Sequence, residues 1–185
     1  FAEKNNEFEF QEDVEALVQT AIYDMSVVVF VTDAQEGVLA ADTKISKMLR
    51  DAVPEKVVLV ANKADNEQYQ TQIGEFCKLG FGEPIAVSSL HGVGVERVLQ
   101  RATQGFSTSD QQQEGLKKRF KVGIVGRPNV GKSSMLNVLV NAERSIVNEK
   151  SGTTRDSIHV FIKHDNHVFE WIDTAGLRRR TKVKG

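Results

Sequence analysis

The chain has 185 residues, 40% hydrophobic and 26% charged, which suffices for a sizeable core and argues against disorder. A formal net charge of −1 excludes a global attraction to nucleic acid, so any such contact must come from a local patch. The lone Cys77 excludes an internal disulfide and fits a reducing compartment, and the longest apolar runs, Val27 to Val31 and Val57 to Ala61, are strand-sized and far short of a membrane span. No signal-peptide pattern follows Phe1, and targeting is unreadable from these residues.

In chain order, Phe10 to Tyr23 spaces Val14, Leu17, Val18, Ala21 and Ile22 at helical intervals behind acidic residues suited to a helix start. Ser26 to Thr32 is a continuous β-branched run, as expected of a parallel strand covered on both faces. Helical spacing returns over Leu39 to Leu49. Lys56 to Ala61 is then predicted as strand, Gln68 to Leu79 as helix, Pro84 to Val87 as a short strand and Gly94 to Ala102 as helix. Gly105 to Arg119 is polar, without apolar periodicity, and reads as a linker. After it, Lys121 to Val125 reads as strand and Lys132 to Val140 as helix. Ser157 to Lys163 and His167 to Ile172 form a predicted hairpin around Asp165-Asn166. The alternation predicts an α/β, doubly wound, mostly parallel sheet of six strands. The four histidines, at 91, 159, 164 and 167, lack metal-ligand spacing and read as surface or hairpin residues.

Between the strand at Lys121 to Val125 and the helix after it lies Gly126-Arg-Pro-Asn-Val-Gly131-Lys132-Ser133, which matches G-x-x-x-x-G-K-[ST] in the required strand-to-helix context. Such a loop turns successive N–H groups inward around phosphate oxygens at a helix N-terminus. Lys132 reaches the terminal phosphates and Ser133 offers its hydroxyl to Mg²⁺. Gly126, Asn129, Val130, Gly131, Lys132, Ser133 and Ser134 are therefore candidate nucleotide contacts. A phosphate loop does not choose a base. Asn62-Lys63-Ala64-Asp65, after the strand Lys56 to Ala61, supplies that choice, because a carboxylate accepting two hydrogen bonds suits guanine, whose N1–H and exocyclic amine both donate. Asp65 is the expected base reader, with Asn62 bonding nearby backbone and the stem of Lys63 packing on the base. The Ser88-Ser89 turn after the next strand is placed for an N–H to meet the guanine O6. Asp173-Thr174-Ala175-Gly176 ends the last strand, where Asp173 can hold Mg²⁺ through a water and the Gly176 N–H can sense the terminal phosphate. Thr153-Thr154 lies in a stretch suited to a nucleotide-ordered switch.

GRPNVGKSS, SGTTRD and DTAGLRRR resemble the second GTPase domain of the EngA/Der family, whose members carry two tandem GTPase domains and a KH-like domain. VTDAQEG, NKAD and LGFGEPIAVSSLHGVG resemble the later half of its first domain. The resemblance covers nearly the whole chain. It implies a GTP-hydrolysing factor for large ribosomal subunit assembly that uses GTP/GDP, Mg²⁺ and K⁺. Its implied partners are guanine nucleotide and the large subunit with its rRNA, in a bacterial cytoplasm or an organellar stroma or matrix. Carried over by match, Lys132, Thr154 and Gly176 take catalytic roles, and Ser133, Thr154 and Asp173 hold Mg²⁺. Asn62, Lys63 and Asp65 read guanine, and Asn129 sits where relatives bind potassium.

The implied organisation is residues 1–104 as the C-terminal half of a first GTPase domain, 105–119 as linker, and 120–185 as the N-terminal half of a second. Every motif then occurs once, in circularly permuted order, one period of a tandem array. Circularly permuted ribosome-assembly GTPases share that order and are the alternative family. An inert or interaction-only segment is the alternative function. Each half alone would expose a strand edge and an apolar sheet face, so the two are expected to close into one six-stranded sheet.

Overall fold

The computed structural model describes residues 21–106, 120–142, 159–164 and 167–173. The predicted first helix up to residue 20, the linker from 107 on, the 165–166 turn, Thr154, Gly176 and the basic run Arg178 to Lys184, which is the local patch the composition leaves open for nucleic acid, lie outside them.

The β-branched run near the start forms β1 (Val27–Asp33), buried along its whole length. There follow α1 (Ala40–Ala52), a 3₁₀ turn at Pro54–Lys56, β2 (Val57–Asn62), α2 (Glu67–Gln72), a 3₁₀ segment Ile73–Leu79, β3 (Ile85–Ala86) and α3 (Val95–Thr103). After the linker come β4 (Phe120–Val125), α4 (Lys132–Ala142), β5 (His159–His164) and β6 (His167–Asp173). All six strands belong to one sheet, ordered β3-β2-β1-β4-β6-β5, parallel except for the β5–β6 hairpin.

The join between the two segments is the β1–β4 pair, in register from Val27 opposite Val122 to Phe30 opposite Val125. Ser26 extends it: its N–H donates to the Lys121 carbonyl at 2.8 Å, and its hydroxyl accepts from the Lys121 N–H at 3.2 Å. Alternate residues of β1 serve different cores. Val27, Val29 and Val31 pack with Val98, Leu99, Met135 and Leu139 of α3 and α4, so helices from either side of the linker share one face. Val28 and Phe30 pack with Leu49, Leu59, Phe76 and Leu79 on the other. Each such side chain contributes about 1.5–3 kcal/mol on burial, so separating the segments would forfeit many of these terms together. Phe106 lies 4.3 Å, centroid to centroid, from Phe120 and 5.7 Å from Phe169, which fastens the start of the predicted linker to the core. His159 pairs with Glu170 across the hairpin at 2.9 Å, and His167 is buried edge-on to Phe120.

One predicted element differs. The helix expected over Gln68 to Leu79 is α-helical only to Gln72 and continues as 3₁₀. Ile73, Phe76 and Leu79 recur every third residue, so the tighter winding aligns them on one face, where Phe76 and Leu79 are fully buried. Gly80, at φ +88°, ends the segment in the left-handed region.

Candidate functional site

Parallel strands bring their carboxyl ends to one edge of a sheet, and here β1 ends at Asp33, β2 at Asn62, β4 before Gly126 and β6 at Asp173. Backbones approach closely at that edge. A Cβ on Gly126 would stand 2.3 Å from the Val31 carbonyl oxygen, and one on Gly131, at φ +91°, would stand 2.3 Å from Asn62 Nδ2. Only glycine fits either place. Asn129 holds φ +65° at an exposed corner of the loop, a conformation Asn tolerates better than most residues.

Lys132 is 7% exposed and curls over the loop, its Nζ donating to the carbonyls of Gly126 at 3.0 Å and Arg127 at 2.8 Å. The lysine thus lies inside the turn that would cradle phosphate. Ser133 Oγ donates to Asp173 Oδ2 at 2.8 Å. This hydroxyl and carboxylate, from α4 and β6, are the hard oxygen donors that Mg²⁺ prefers, so the residues present fit that ion. Ser134, one position on, is exposed.

Asn62, 1% exposed, ties the other half to this loop. Its Nδ2 donates to the Val130 carbonyl at 2.7 Å, while its Oδ1 accepts from the N–H and hydroxyl of Ser89 at 3.0 and 2.9 Å. Within the turn expected to offer an N–H to a base oxygen, the Ser89 N–H is engaged by Asn62. Asp65 is oriented at both oxygens, by Ser88 Oγ at 2.6 Å and by Gln35 Nε2 at 3.0 Å. Ser88 in turn receives the His91 N–H at 3.2 Å and bridges Val93 through backbone bonds. Lys63, at φ +64°, pairs its ammonium with the buried carboxylate of Asp33. This fixes the stem that would lie along a base.

Asn62, Lys63, Asp65, Ser88 and Ser89 thus share one edge with Gly126 to Ser133 and Asp173. A cavity of about 750 Å³ opens elsewhere, lined by Val57, Phe81, Arg97, Arg101 and Phe106, and holds none of these residues. The segment directly after β1 was marked in the sequence only by the VTDAQEG resemblance, which gave its residues no contacts. Asp33 reaches Lys63, Gln35 reaches Asp65, and Glu36 and Asp42 both reach Arg127 of the phosphate loop. The only local signal was Asp42 at the third position of α1, where its Oδ2 caps the Leu39 N–H at 3.0 Å.

Residues 121–185 match the family model described as 50S ribosome-binding GTPase. Among individual relatives, GTPase Der of Clostridium kluyveri is 42% identical over 90% of this chain and 37% of its own length. GTPase Der of Listeria innocua is 41% identical over 94% and 39% respectively, and that of Agathobacter rectalis 42% over 90% and 37%. The chain therefore spans under two fifths of the length of these curated relatives.

Proposed function

Because Der GTPases are 41–42% identical to it over 90% or more of its length, we propose that the chain belongs to the GTPase Der family, that its edge of convergent strand ends binds GTP and GDP and that the parent protein hydrolyses GTP. The observation that supports this reading is the Asn62 to Val130 bond, which holds the Asn62 to Asp65 turn beside the Gly126 to Ser133 loop. Asp65 accepts from the two donors of guanine, Lys63 lies along the base, and the Gly126 to Ser133 amides with Lys132 receive the phosphates. Ser133 and Asp173 would hold Mg²⁺, which neutralises charge on the phosphate oxygens when bound. Thr154 and Gly176, outside the described residues, are assigned the further metal and phosphate contacts by the sequence and the family resemblance alone, and Asn129 would supply an oxygen for a potassium ion.

The arrangement of residues 1–104 and 120–185 as halves of successive GTPase domains joined by 105–119 is part of the same proposal. The matching model's description, ribosome-binding, supports the large ribosomal subunit and its rRNA as partners of the parent. Among the described residues no helix is long and apolar enough to cross a membrane.

Equilibrium titration of the chain with GDP and ADP in Mg²⁺ tests the reading. A preference for GDP of about thirtyfold or more is expected, since adenine gives Asp65 neither of the two donors that guanine adds, a loss of about 1–3 kcal/mol for each. Equal affinities, or no binding of either, would refute it.

A further inference from the structure

Arg127 sits in the phosphate loop, yet its side chain points away into the segment before the linker. Only 12% exposed, its Nε lies 3.3 Å from Asp42 Oδ2, and its Nη1 meets Glu36 Oε2. Asp42 is fully buried at the first turn of α1 and anchored there by the Leu39 N–H. The main chain of the same arginine accepts from the other direction, taking the Lys132 ammonium on its carbonyl. One residue therefore links the rigid start of α1 to the lysine that meets phosphate.

This pair is poorly explained as a source of stability. Among the described residues Asp42 Oδ1 and Arg127 Nη2 have no hydrogen-bond partner, and a buried ion pair with unmatched atoms stabilises no better than an apolar pair of the same volume. What it does provide is orientation. A planar guanidinium gripped by Asp42 on one side and Glu36 on the other cannot rotate, whereas an ammonium at the same place is a point charge without that constraint.

Resting on the nucleotide reading above, we propose that Arg127, held by Asp42 and Glu36, is a positioning residue for the phosphate loop. The phosphate-binding segment takes its working shape from α1 of the base-reading segment. The two segments then act as one site, and separating them would disable phosphate binding even where the motif itself is intact.

The test compares GDP with GMP, because the loop and Lys132 serve the phosphates beyond the first whereas Asp65 and Asn62 serve the base in both. In the whole chain, Arg127→Lys and Asp42→Asn should each lower the ratio of GDP to GMP affinity about tenfold, with GMP affinity nearly constant. Glu36→Gln, which touches only the exposed arm, should lower it about threefold and guards against misfolding of the buried variants. A ratio unchanged in these variants, or GDP and GMP weakened equally, overturns the proposal. Hydrogen exchange of the nucleotide-free chain gives a second readout. Arg127→Lys should speed exchange at the Gly131 and Lys132 amides about tenfold while the β1 amides stay as slow as before. If the unmodified chain binds neither GDP nor GMP, the nucleotide reading fails and exchange alone decides: unaltered loop protection then rejects the positioning role.

Discussion

Asn62 Nδ2 donates to the Val130 carbonyl at 2.7 Å across 68 positions of chain, joining the end of β2 to the phosphate loop. The same side chain accepts twice from Ser89, so one buried amide holds three pieces of the site.

Removing it should cost stability and binding together. Asn62→Ala leaves the Val130 carbonyl and both Ser89 donors without their partner, at about 1–3 kcal/mol for the buried groups. A urea midpoint lowered accordingly, with GDP affinity reduced more than tenfold, is the expected outcome. An unchanged midpoint would show that water replaces the amide.

Asp65→Asn should move base preference from guanine to xanthine, because the amide can donate to the added carbonyl of xanthine while Ser88 still supports the side chain. Competition between GDP and XDP reads the change directly. Retained guanine preference in the variant would remove Asp65 from the role of base reader.

Gly131→Ala places a methyl where Asn62 Nδ2 now stands and forces a side-chain-bearing residue to φ +91°. Backbone strain and overpacking together should cost about 2–4 kcal/mol. Thermal unfolding checks this against Gly82→Ala, where φ is also positive but nothing lies within 4 Å, so the strain occurs without the clash. Similar losses in the two variants would mean that the close approach is unimportant.

Hydrolysis by the parent protein should run faster in potassium than in sodium. Leu177 stands where Ras-like GTPases carry a water-orienting Gln and cannot hydrogen-bond water, so another positive charge must offset the charge developing between the phosphates. Asn129→Ala should abolish the difference between the two salts. Equal rates in both salts for the unmodified parent would reject the idea.

The basic run Arg178 to Lys184 should bind rRNA through phosphate contacts, so affinity should fall as salt rises. Replacing Arg178, Arg179 and Arg180 by Ala should flatten the slope of log affinity against log salt by about 2–3. Binding insensitive to salt, or to these replacements, would rule the contact out.

Much of the fold was legible because its signals are local. The β-branched runs placed β1, β2 and β4 to within a residue or so, since a strand buried on both faces needs such a run. The turns at Gly126 to Gly131 and Asn62 to Asp65 were legible for a similar reason: their spacing is set by backbone turns a few residues long. Three-residue spacing of Ile73, Phe76 and Leu79 also stood in the sequence, but only the burial of Phe76 and Leu79 against the sheet made it a 3₁₀ segment instead of an α-helix. The place of Asp42 at the third position of α1 marks a helix start and not its partner, and the contacts of Arg127 with Asp42 and Glu36, and of Gln35 with Asp65, had no signal in the spacing. Each joins residues far apart in sequence, and no pattern of spacing marks which buried carboxylate a given guanidinium will meet. The partners of Arg127 are chosen when β1 and β4 pair, which brings the start of α1 beside the loop after β4, whereas Gln35 meets Asp65 because β1 and β2 pair in parallel and end side by side at Asp33 and Asn62.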